Sequence, residues 1–168
     1  YFNEGLINIY TSVRSHRIYQ LDKFGDILNM HWFRDTPGAL QSFVRNGKYY
    51  TLGVLMKEDS NSYYCIREFD ECLNVVEEYF YSAAGHYFLG NLSGPKFLKD
   101  GSLVFVASLA KDSTNILGEV VLDFVVIDSA LAGITKRKIY DPGRFCNAQE
   151  FIGFNDNLLG IVTGFPDD

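Results

Sequence analysis

Six residues carry groups that could recognise or act on a ligand: Asp35, Asp59, His86, Tyr87, Asp112 and Arg144. With Glu58, Asp141 and Arg34 nearby in the chain, the carboxylates would form a polar, mostly acidic rim if the segments bearing them converge. Such a rim can take a cation or sugar hydroxyls. His86 and Tyr87 are the most suggestive pair, because Gly85 and Gly90 free the backbone on either side. Each residue also has a plain reading, as a solvated loop charge or, for His86, as a loop histidine whose aromatic neighbours plug a gap between packed elements. Glycoside cleavage needs two carboxylates placed within a few ångströms, which spacing along a chain does not supply.

No motif adds a reaction to this set. The chain has no phosphate-cradling glycine loop, no G-x-S-x-G elbow, no H-E-x-x-H and no cysteine pair at zinc spacing. His16 and His31 are remote in sequence from His86. Cys65 and Cys72 have six residues between them, and Cys146 lies far beyond. These thiols read as ordinary residues packed in or near strands, with a Cys65–Cys72 disulfide across a hairpin as the alternative. Asn91-Leu-Ser93 fits the glycosylation triplet, a pattern short enough to arise by chance. No cofactor and no metal is expected.

Composition narrows the class of fold. In 168 residues, 47% are apolar, with 14 Phe and 11 Tyr, which suits pleated, half-buried surfaces better than helices. The formal charge of −6 gives nucleic acid or an anionic membrane little to hold, so neither is expected as a partner. No stretch approaches the roughly 18 apolar residues of a membrane span.

The elements that must position the six residues are announced by a repeated phrase, a tight polar turn followed at once by an apolar run. It reads Asn3-Glu4-Gly5 then LINIYTS, Asn46-Gly47-Lys48 then YYTLGVL, Asp100-Gly101-Ser102 then LVFVASL, and Asn155-Asp156-Asn157 then LLGIVTG. Steps of 42, 54 and 55 residues between equivalent positions point to a propeller or another repeat array. After each lead run comes a second run ending in Asp: residues 16–22, 63–70 and 120–128. Aspartate suits that place because its side chain can bond its own backbone two residues on. A third run follows at 27–33, 73–81 and 134–140. The last of these, with Lys136, Arg137 and Lys138, is charged as an outermost strand should be. A stretch ahead of each later turn, at 39–45, 95–99 and 148–154, supplies the innermost strand.

The reading is therefore all-β, with four-stranded antiparallel blades of a β-propeller. Residues 1–34 form an incomplete first blade, 35–81 a second, 82–140 a third and 141–168 the start of a fourth, a little over three blades in one domain. Propellers usually have four to eight. The remaining blades are expected from a longer chain or from another subunit. Links from strand one to two and from three to four are short. Those from two to three and from four to the next unit are longer, so length and variety collect on one face, where loops usually carry binding groups. All six candidate residues fall in these longer links, the longest of them being 82–94.

The hairpin Tyr19-Gln-Leu-Asp22-Lys-Phe-Gly25-Asp-Ile-Leu resembles the L-D-x-x-G turn of bacterial β-propeller repeats, including secreted repeat proteins and, more loosely, quinoprotein-type blades. The resemblance implies a propeller fold and leans towards a secreted or periplasmic bacterial protein. It implies no quinone, because Trp32 stands seven residues beyond Gly25 and the other units have no Trp. The expected function is a non-catalytic module that binds or scaffolds a protein, peptide or glycan through the long-loop face. The alternative is an enzyme of glycosidase, lyase or oxidoreductase type with its site at the channel mouth. A β-sandwich is the competing architecture.

Overall fold

The computed structural model describes residues 5–10, 16–33, 40–56, 62–83, 87–110, 120–141, 146–154 and 157–164, with side chains at 17–33, 40–55, 62–83, 92–110 and 120–141. The described residues form strands joined by turns, with no helix among them. The strands are β1 (Gly5–Tyr10), β2 (His16–Leu21), β3 (Ile27–Phe33), β4 (Leu40–Arg45), β5 (Lys48–Met56), β6 (Ser62–Phe69) and β7 (Val75–Ser82). They continue with β8 (Tyr87–Leu92), β9 (Lys96–Phe97), β10 (Leu103–Ala110), β11 (Val120–Ile127), β12 (Ile134–Tyr140), β13 (Cys146–Phe154) and β14 (Asn157–Gly164).

Pairing is antiparallel and joins strands consecutive in the chain, except that β10 pairs with both β8 and β9. Sheet A is β1-β2-β3, sheet B is β4-β5-β6-β7, sheet C is β8-β10-β11-β12 with β9 also on β10, and sheet D is β13-β14. The chain completes one sheet before starting the next, instead of alternating between two layers as a sandwich does. Successive sheets pack face to face. The residues Ile18 and Phe33 of sheet A meet Leu40, Phe69 and Leu73 of sheet B in one apolar cluster. A larger cluster joins Tyr50, Leu52, Val54, Tyr64, Ile66 and Tyr81 of sheet B to Leu103, Phe105, Leu109, Val121, Val125 and Ile127 of sheet C. Sheet D then lies on sheet C through β13, which contacts β8, β10 and β11. Strand β10 is buried at every position, whereas β12 is mostly exposed, so the middle strands are dry and the outer one is wet.

One corner is built three times. The Asp22 Oδ1 accepts from Phe24 N at 2.8 Å and Asp26 N at 3.0 Å; Asp70 Oδ1 from Cys72 N at 2.9 Å and Asn74 N at 2.8 Å; Asp128 Oδ1 from Ala130 N at 2.8 Å and Ala132 N at 2.9 Å. The aspartate at the end of each second run thus does what its chemistry suggests, satisfying two backbone donors that the turn would otherwise strand. Three residues on, the chain needs a left-handed conformation. Gly25 takes it at φ 91°, while the equivalents are Leu73 at φ 61° and Leu131 at φ 59°. Both leucines are buried, so core burial offsets the backbone strain that glycine avoids. Just past each corner the outer strand carries one extra residue, Leu28, Val76 or Thr135, which bulges it and adds twist. The β4–β5 connection is a two-residue Asn46-Gly47 turn with both residues at positive φ, the geometry that follows the twist of a hairpin.

One expected boundary is corrected. Residues 82–94 read as the longest loop, with the first strand of that unit at 95–99. In the structure Tyr87–Leu92 is itself a strand, paired with β10, and only Lys96–Phe97 follows it. Gly90 and Asn91 look like loop residues but sit where the register slips. The strand breaks at Ser93-Gly94-Pro95, and Ser93 bridges the gap: its N donates to Val106 O at 2.9 Å and its Oγ accepts from Val106 N at 2.8 Å. The third residue of the glycosylation triplet is thereby buried in a ladder. No disulfide joins Cys65 to Cys72, the first buried and the second exposed, so the hairpin bridge is not formed.

Candidate functional site

Antiparallel meanders send alternate connections to opposite ends. The Asp corners, the Asn46-Gly47 turn and the β9–β10 turn share one end, where Asn29 Nδ2 donates to Glu71 O at 3.2 Å between sheets A and B, and Arg45 Nη2 donates to Ser129 O between sheets B and C. The strand ends flanking segments 34–39, 57–61, 84–86, 111–119 and 142–145 are at the other end. Of the expected site residues, Asp35, Asp59, His86, Asp112 and Arg144 lie outside the described residues. Tyr87 is the first residue of β8, opposite Ala110, and its side chain is likewise outside the description.

A buried polar cluster, which the sequence reading did not single out, lies between sheets B and C. Asp123 sits within β11 at 0% exposure. The Tyr64 hydroxyl donates to its Oδ2 at 2.7 Å, and Arg137 Nη2 lies 3.1 Å from the same oxygen. The guanidinium of Arg137 also donates to Ser82 O and stands 5.9 Å from the Tyr64 ring centroid. Burial, and then the Asp123 charge, hold the Tyr64 phenol well above its ordinary range. Chemically this is a staple, since a carboxylate inside an apolar interface is tolerated only when a cation and a donor meet it. The signal in the sequence was the lone carboxylate in Val120-Val-Leu-Asp-Phe-Val-Val-Ile127.

The interface of sheets A and B carries its own ion pair with the charges exchanged between strands. Here Arg67 on the middle strand meets Glu78 on the outer strand, with Nε 2.6 Å from Oε1, and the guanidinium covers the Phe33 ring at 5.2 Å. His31 belongs to this packing, edge-on to Phe33 at 4.6 Å and Phe69 at 5.3 Å.

Two clefts open at the short-turn end, away from the expected rim. One, of about 490 Å³, lies between sheets B and C and includes Arg45, Asn46, Phe97, Asp100 and Ser129. Backbone and side-chain hydrogen bonds from Ser102 hold the Asp100 carboxyl below the usual range. The second, of about 300 Å³, includes Lys48, Tyr49, Glu68, Asp70 and Glu71. Burial would raise the Glu68 carboxyl, but the Lys48 ammonium at 2.6 Å and the Tyr50 hydroxyl at 2.8 Å outweigh it and lower it. Tyr50 in turn is pushed up to about 12 by burial and by Glu68. Among the described residues no three His, Cys, Asp or Glu side chains gather as metal ligands. Compared with protein-family models, characterised proteins and solved structures, the chain finds no match.

Proposed function

We propose that this chain is a β-propeller-type module that binds or scaffolds a protein, peptide or glycan through its long-connection end, without catalysis. The observation that carries the reading is the stacking of consecutive self-paired meanders, each turned at the same end by the same aspartate corner. Repetition of that unit directs every longer connection to the opposite end. A rigid stack presenting varied segments from one end is the usual division of labour between scaffold and recognition loops. Asp35, Asp59, His86, Tyr87, Asp112 and Arg144 remain the residues proposed to meet the ligand there.

The test is to screen the purified chain against a glycan array and a displayed random-peptide library, then to measure the best binder by calorimetry against alanine variants at Asp59, Asp112 and Arg144. A tenfold or greater loss in at least one variant is expected, with Arg45→Ala in the short-turn cleft leaving affinity unchanged. Loss of binding only in Arg45→Ala would overturn the assignment of the end. Turnover of a hydrolysable glycan probe that disappears in the same acidic variants would overturn the non-catalytic reading.

A further inference from the structure

The outer strands of sheets A, B and C are β3, β7 and β12, and each is followed in the chain by the first strand of the next sheet. Their places as edges are therefore set by the repeat. The rim they form is open in every sheet: Trp32, Phe80 and Ile139 occupy one repeat position and are 43%, 39% and 42% exposed. An exposed edge invites pairing with another chain unless charge opposes it. Charge does so on two of the three. Glu77 and Glu78 lie exposed on β7, and Lys136 and Lys138 lie exposed on β12 with Arg137 between them. The strand β3, Ile27-Leu-Asn-Met-His-Trp-Phe33, has no Asp, Glu, Lys or Arg. Ile27, Leu28 and Met30 are exposed on it, and its register with β2 runs without a shift from Asn29 to Phe33.

We infer that β3 pairs antiparallel with β3 of a second copy of the chain, about a two-fold axis at Met30. The order of side chains selects this occupant. Read in either direction from Met30, the strand gives polar, apolar, apolar, so the axis sets Asn29 across from His31, Leu28 from Trp32 and Ile27 from Phe33. Polar meets polar and aliphatic meets aromatic, pairings that stabilise neighbouring strands. The same axis drawn at the equivalent residue fails on the other two edges. On β7 it would set Glu78 against its own copy, and on β12 Arg137 against its own copy and Lys136 against Lys138. Like charges directly opposite are destabilising. The contact is isologous and closes at two chains. A single strand pair lies at the low end of interface sizes, below about 1,200 Å² in total, so the dimer is reversible. The inference uses the rim of the stack and is independent of what the long-connection end binds.

Trp32 is the only tryptophan in the chain and lies across from Leu28 in this pairing, so its emission reports on the contact. Cys72 is exposed, so the measurement is made under reducing conditions. Sedimentation equilibrium between about 5 and 500 µM should show a monomer giving way to a dimer, with a blue shift of Trp32 emission over the same range. Met30→Lys and Met30→Glu should each raise the dissociation constant tenfold or more. The equivalent residues, Glu78 and Arg137, show that the fold accepts a charge at this place. Mixing the two variants sets opposite charges across the axis, and should restore both the dimer and the blue shift. Val76→Lys, on β7, should change neither reading. A monomer with constant emission up to 500 µM would overturn the inference. So would a dimer that either single variant leaves intact, or one that the mixture does not restore.

Discussion

Asp123 shows how much of this fold depends on single polar groups meeting their partners. Its carboxylate lies at 0% exposure, held by the Tyr64 hydroxyl and the Arg137 guanidinium. Asp123→Ala leaves a guanidinium and a phenol facing an apolar interface, and should destabilise by about 3–5 kcal/mol. Tyr64→Phe removes one donor to a charged acceptor and should cost about 1.5–3 kcal/mol. Urea denaturation of the two single variants and the double variant checks this, with the double costing clearly less than the sum because both act on one cluster. The sequence revealed that a carboxylate interrupted an apolar strand. It did not reveal the partner, because Tyr64 is 59 positions away and on another sheet.

Elements were more legible than their joints. The Asp-ended runs and the lead runs were readable because turn chemistry at Asp22, Asp70 and Asp128 is local and alternation of buried and exposed strands follows composition. Tyr87–Leu92 was missed because its strand is irregular and completed by a side chain, Ser93, standing in for backbone. The leucines at the corners were also beyond reach, since a bulky residue at positive φ contradicts local preference and only tertiary burial permits it. At Leu73, φ 61° and 1% exposure set strain against packing. Leu73→Ala keeps the strain and loses the packing, and should cost about 2–4 kcal/mol. Leu73→Gly loses the same packing but relaxes the backbone, so it should be less destabilising than alanine by about 0.5–1 kcal/mol, the reverse of the usual order within a strand. Thermal denaturation of the two variants decides the order.

The molecule as a whole has a stability window set by two families of groups. The Asp70 carboxyl is lowered by side-chain and backbone hydrogen bonds from Asn74, and Asp128 by the backbone N–H of Ala132. A depressed carboxyl contributes stability above its ordinary value near ~3.9 that is lost as pH falls through the depressed one. Tyr50 and Tyr79 are pushed up to about 12, each by burial first, and Tyr64 is raised as well. A raised phenol contributes stability below its ordinary value near ~10 that is lost as pH rises towards the raised one. The urea midpoint should therefore be flat between about pH 4 and pH 10 and fall on both sides, with Asp70→Asn flattening the acid limb only. A midpoint that falls steadily across the neutral range would show that other groups govern folding. Five of the six residues of the proposed rim were legible as chemistry but not as geometry, because they belong to the longer connections and not to the strands that repetition fixes, while Tyr87 opens the irregular strand β8. The Asp corner carries one last consequence. Since an exposed glycine and a buried leucine solve the same bend, ancestry in such a chain is written in the carboxylate and in three-residue spacing, and a search keyed to glycine passes over two bends of the three.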